Sequence, residues 1–121
     1  MKSFEKGKLS AAQMWTIIKM AQWDGDYERV KSFFKKNLYV DQFKQLDAFV
    51  HEMQEQLQNI FHEDWVGNPG INVSDDGWSD LTAEVVGRGN KFYKEITLKK
   101  LQEMANSCDY NESFLYAFHV D

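Results

Sequence analysis

Asp41-Gln42-Phe43-Lys44-Gln45-Leu46-Asp47-Ala48-Phe49-Val50-His51-Glu52-Met53-Gln54-Glu55-Gln56-Leu57-Gln58-Asn59-Ile60-Phe61 is the stretch that decides the fold. Phe43, Leu46, Val50, Met53, Leu57 and Ile60 recur at alternating steps of three and four, the period of a helix–helix seam. Phe49 and Phe61 widen the stripe, which predicts a core helix rather than a narrow coiled coil. Asp41 offers a capping oxygen at its start. At 1.5 Å per residue the helix should run about 30 Å, long enough to be the backbone of a bundle.

Upstream, two shorter helices are expected. Ser10 and Gln13 have the spacing of a capping box, and Leu9 and Met14 that of a hydrophobic staple. Met14, Trp15, Ile18 and Ala21 follow at helical intervals. Trp23-Asp24-Gly25-Asp26 breaks the pattern, with Gly25 suited to a left-handed turn. Asp26 is placed to cap a second helix whose apolar side is Tyr27, Val30, Phe33 and Phe34. Lys31, Lys35 and Lys36 favour the negative end of that helix dipole.

Downstream, residues 66–73 hold Gly67, Pro69 and Gly70 and read as a turn-rich connection. Ser74 caps a further helix with Asp75 and Asp76 in its first turn, and Trp78, Leu81, Val85 and Val86 form its apolar side. Gly87-Arg88-Gly89-Asn90 ends it. A short segment carrying Phe92, Tyr93 and Ile96 leads to Thr97, the expected cap of another helix. Ile96 and Leu101 repeat the staple spacing. Asn111 is placed to cap a last helix with Phe114, Leu115 and Phe118. No alternating strand pattern is present, so the expectation is an all-α, compact single-domain bundle of five to seven helices spanning 1–121.

Bulk properties agree with that reading. A chain of 121 residues suits one core, and 43% apolar with 27% charged residues excludes a disordered class. No run of about 18 apolar residues exists to cross a membrane, and the charged first residues lack the apolar stretch of a secretory signal. Cys108 is the only cysteine, so no internal disulfide forms and a reducing cytoplasm is expected. The net charge of −5 conceals an asymmetry: residues 1–40 balance at +4, residues 41–84 at −9, and the remainder at zero. An acidic middle disfavours nucleic acid, whose phosphates need clustered cations, and suits a basic protein partner or a divalent ion. It is equally suited to packing beside the chain's own basic first third.

Asp76, Asp80 and Glu84 fall four apart and predict an acidic ridge away from Trp78, Leu81 and Val85. Hard cations take such oxygens, as do Lys and Arg side chains of a partner; solvated acids opposite an apolar face are also plain helix design. Asp75-Asp76-Gly77 lacks the acid spacing of a calcium loop. His51-Glu52-Met53-Gln54-Glu55 begins like a zinc-protease helix, but Glu55 stands where a second His is required. His51 and His62 lie about 16 Å apart along a helix, too far for one ion. Cys108 and His119 sit in no catalytic pattern. Lys91, Lys94, Lys99 and Lys100, with Arg88, Phe92 and Tyr93, form a modest basic cluster. Trp65, beside Glu63 and Asp64 at the edge of the irregular loop, is the candidate aromatic contact, with coverage of that loop as its plainer role.

Ser74-Asp75-Asp76-Gly77-Trp78, followed by Val85-Val86-Gly87-Arg88-Gly89 and Phe92-Tyr93, resembles the bacterial family called domain of unknown function 4240. Met14-Trp15-Thr16-Ile17-Ile18 is similar to that family's opening helix and Ser113-Phe114-Leu115-Tyr116 to its closing segment. The turn-rich stretch from Val66 to Val73 departs from its pattern. The resemblance implies a helical bacterial domain and brings no catalytic residue with it.

Two functions follow from these residues. One is a non-enzymatic interaction domain, immunity- or antitoxin-like, that meets a basic partner through Asp76, Asp80, Glu84 and Trp65 and needs no cofactor. The other is a divalent-metal hydrolase or transferase using Asp75, Asp76 and Asp80, with His62 or Glu63 as base.

Overall fold

The computed structural model describes residues 2, 4–67, 70–111 and 113–119. Among them the chain is all-α, with no strand. Six α-helices, α1 (Ala11–Ala21), α2 (Tyr27–Asn37), α3 (Val40–Val66), α4 (Asp75–Gly87), α5 (Asn90–Glu95) and α6 (Leu98–Ser107), precede a 3-10 helix at Phe114–Phe118. No helix is long and apolar enough to cross a membrane among these residues.

Local chemistry sets most boundaries. Ser10 Oγ accepts from Gln13 N–H at 3.1 Å while Gln13 reaches back to Ser10 N–H at 2.8 Å, completing the capping box of α1. Gly25 turns the chain at φ 95°, and Asp26 caps α2 by accepting from Arg29 N–H. Ser74 and Thr97 cap α4 and α6 through the amides of Gly77 and Lys100.

Three boundaries differ from the sequence reading. α3 starts at Val40, where Gln42 Oε1 reaches back to accept from the N–H of the N-cap Tyr39 at 3.1 Å, and it runs on to Val66, 27 residues or about 40 Å. Its stripe also rotates at the far end. Ile60 is 67% exposed and Phe61 takes the half-buried position, since a strict heptad drifts around a 3.6-residue helix. Asn111 caps nothing; Ser113 does, its Oγ accepting from Leu115 N–H at 3.1 Å ahead of the 3-10 helix. Asn68 and Pro69, in the turn-rich stretch, lie outside the described residues.

Two apolar clusters fill the bundle. The first gathers Ile17 and Ile18 of α1, Val30 and Phe34 of α2, Leu46, Phe49 and Val50 of α3, and Phe114 and Phe118. The second joins Leu57 of α3, Trp78, Leu81 and Val85 of α4, and Leu101 and Met104 of α6. Between them α3 and α4 share a polar seam, where Gln54 Nε2 donates to Ser79 C=O at 3.0 Å and to Thr82 Oγ1 at 3.2 Å. α4 is buried on every side from Leu81 to Gly87, which small residues at positions 82, 83 and 87 permit. A Cβ on Gly87 would meet Phe114 and Trp23 ring carbons at 3.0 Å.

Candidate functional site

α4 positions the acids that the sequence singles out. Its cap leaves Asp75 and Asp76 exposed in the first turn, and Asp80 follows one turn later, half-buried. Asp76 and Asp80 line a cleft of about 380 Å³ whose opposite wall is Leu115, Tyr116 and His119 from the 3-10 helix and its exit. Tyr116 is held from behind by Tyr27, ring centroids 5.4 Å apart and edge-on, and its other neighbour is the His119 ring at 4.9 Å. Two carboxylates thus face an aromatic ring and an imidazole across one opening. Tyr110 stands close by; burial pushes its phenol up, and the charges of Cys108 and Asp80 add to the effect.

Glu84 does not join them, which corrects the predicted ridge. Positions four apart drift by about 40° per step around a helix, so by Glu84 the side chain has turned inward. It is 3% exposed. Its Oε1 accepts from Trp23 Nε1 at 2.8 Å and from the Asn111 backbone and side-chain amides at 3.1 and 3.3 Å. Its Oε2 accepts from Arg88 Nε at 2.8 Å. Arg88 Nη2 then donates to the Asp109 carbonyl at 2.9 Å and carboxylate at 3.2 Å, with the guanidinium 5.0 Å from the Phe92 ring centre. Partial burial opposes the charge on Arg88, but Glu84 and Asp109 outweigh it and hold the guanidinium pKa above its ordinary value. Glu84 is therefore a buried tie between the α1–α2 turn, α4 and the segment after α6.

Trp65 serves the loop. Its ring lies flat on Trp78 at 5.3 Å and 9°, and its Nε1 donates to Val73 C=O at 3.1 Å, pinning the end of the connection to α4. His62 is exposed with its ring 6.1 Å from Trp65, and Glu63 is exposed beside it. His51 hangs 3.0 Å from Asp47 on its own helix.

Among the described residues, no three His, Cys, Asp or Glu side chains gather as ligands for a metal ion. Asp75, Asp76 and Asp80 thus do not converge as a three-ligand set. Of the serines at the cleft, Ser79 Oγ accepts from Gln54 Nε2 at 3.3 Å and Ser113 Oγ from the Leu115 amide at 3.1 Å. Cys108 is exposed at the end of α6. In the basic cluster, Phe92 lies beneath Arg88 and Tyr93 packs between the two cores, its Oη donating to Met53 C=O at 3.1 Å, so neither ring is offered to a base.

Tyr116 and His119 enter the sequence reading only as part of the family resemblance and as a histidine in no catalytic pattern, with no sign that they share a cleft with Asp76 and Asp80. Only the fold brings them to α4, and nothing in their local spacing signals it. The chain matches no protein-family model, no curated protein and no solved structure.

Proposed function

We propose that this protein is a non-enzymatic interaction domain whose cleft between α4 and the 3-10 helix receives a Lys or Arg side chain of a basic protein partner. One observation carries the reading: Asp76 and Asp80 share a single opening with the Tyr116 ring. Carboxylates supply charge-assisted hydrogen bonds to a cation, and a ring face adds a cation–π contribution. Glu84 and Trp65 act behind this surface, the first tying α4 to its neighbours and the second clamping the preceding loop. An immunity- or antitoxin-like protein, neutralising a basic target, is the concrete version. The lone cysteine fits a cytoplasmic setting, and the motif resemblance to the domain of unknown function 4240 fits a bacterial one.

Affinity capture from the native host with the wild-type chain and the Asp76→Lys/Asp80→Lys double variant tests this. A stoichiometric basic partner is expected on the wild type, weakened as salt rises and lost with the variant. A partner held equally by both forms, or no partner at all, removes the proposal.

A further inference from the structure

A second opening lies away from the acidic cleft, where α2 hands over to α3. Leu38, Val40 and Phe43 floor a groove of about 490 Å³, and Lys2, Lys35 and Lys44 stand around it. Among the described residues no Asp or Glu lines it. Val40 opens onto it at 75% exposure, the most exposed large aliphatic among the described residues. The local sequence explains the arrangement. α2 ends in Lys35 and Lys36, as its dipole favours, and α3 begins at once with Val40, so the handover places an apolar step beside cations. Lys2 Nζ donates to the Lys35 carbonyl at 2.7 Å, which fixes one ammonium at the groove's edge. Lys6 adds a further cation 5.7 Å from the ring centre of Tyr39, which also borders the groove.

We infer that this groove binds a monomeric single-chain anionic amphiphile, a fatty carboxylate, with its tail on Leu38, Val40 and Phe43 and its head among Lys2, Lys35 and Lys44. Charge complementarity sets the sign of the head. The floor sets the nature of the tail: Leu38, Val40 and Phe43 side chains offer no hydrogen bond. A peptide laid there would bring backbone amides and carbonyls that lose water without gaining partners, whereas a hydrocarbon tail brings none. The volume is within the range of small-ligand pockets.

Decanoate, kept below its micelle-forming concentration, is the probe. Its titration into methyl-labelled protein should move the Leu38 and Val40 methyl resonances saturably. Decylammonium, with the same tail and the opposite head, should bind at least about tenfold more weakly, a difference of about 1.4 kcal/mol. Lys35→Gln/Lys44→Gln should weaken decanoate by a similar factor, and Val40→Asp should abolish its binding. Val40 and the two lysines are all exposed, so these variants keep the core intact. Four results overturn the inference: equal binding of decylammonium, unchanged decanoate affinity in Val40→Asp, resonance shifts only above micelle formation, or attachment to phosphatidylglycerol vesicles that decanoate fails to compete away.

Discussion

At Glu84 a carboxylate that is 3% exposed meets four donors from three separate segments. Such a group is stable in the interior only while its charge is answered on every side. Replacing it with Gln keeps the volume but turns one oxygen into a donor, which must then face either the Trp23 and Asn111 donors or Arg88 Nε. Removing one member of a buried pair costs about 3–5 kcal/mol, and Arg88, a quarter exposed, keeps some access to water. Glu84→Gln should therefore sit near the lower end, about 3 kcal/mol, read as a fall in the urea midpoint with unchanged slope. A loss under about 1 kcal/mol would show that Asp109 alone suffices for Arg88. The residue scale is also where the sequence misleads most. Asp76, Asp80 and Glu84 are chemically alike and evenly spaced, yet only the packing of Trp23 and Asn111 against α4 separates a buried tie from two cleft acids. Those partners lie 61 and 27 residues away along the chain, beyond the reach of a local pattern.

Elements were legible wherever their boundary rests on a bond between near neighbours. Ser10, Asp26, Ser74 and Thr97 each accept from the amide three positions on, so residue type and spacing are enough to place them. The start of α3 was obscured because Gln42 reaches back to Tyr39 without a conventional cap, and Asn111 resembled a cap while its amides were committed to Glu84. Ser74 has the added task of setting the first turn of α4, and with it the position of Asp76. Ser74→Ala should cost about 1 kcal/mol, while Ser74→Asp should retain most of the stability because its carboxylate accepts the same amide and favours the positive end of the helix. Thermal unfolding of the two variants side by side checks the ranking. Equal losses would mean that α4 is held by its burial alone and that the cap is incidental.

At the scale of the molecule, the apolar stripe of α3 foretold a bundle built on one long helix, but not that the bundle has two apolar centres. That division depends on which neighbours the stripe meets. Leu46, Phe49 and Val50 face α1, α2 and the 3-10 helix, while Leu57 faces α4 and α6. α4 divides in the same way, with Ala83 and Val86 in the first cluster and Leu81 and Val85 in the second. Tyr93 packs against both and ties its hydroxyl to α3. Two helices and a ring shared between the clusters leave no plane along which one could open without exposing apolar area in the other. Burial contributes about 25 cal/mol per Å², so opening either one alone would also forfeit the stabilisation that the shared helices and Tyr93 draw from the other. The tryptophans make this measurable, because Trp15 and Trp23 report on the first cluster and Trp65 and Trp78 on the second. With 5-fluorotryptophan in the otherwise unchanged chain, the native fluorine resonances of Trp15 and Trp78 should disappear at one urea midpoint that coincides with loss of helical circular dichroism. Loss of either resonance ahead of the helical signal would instead mark its cluster as a separate cooperative unit, with α3 hinged between Val50 and Leu57.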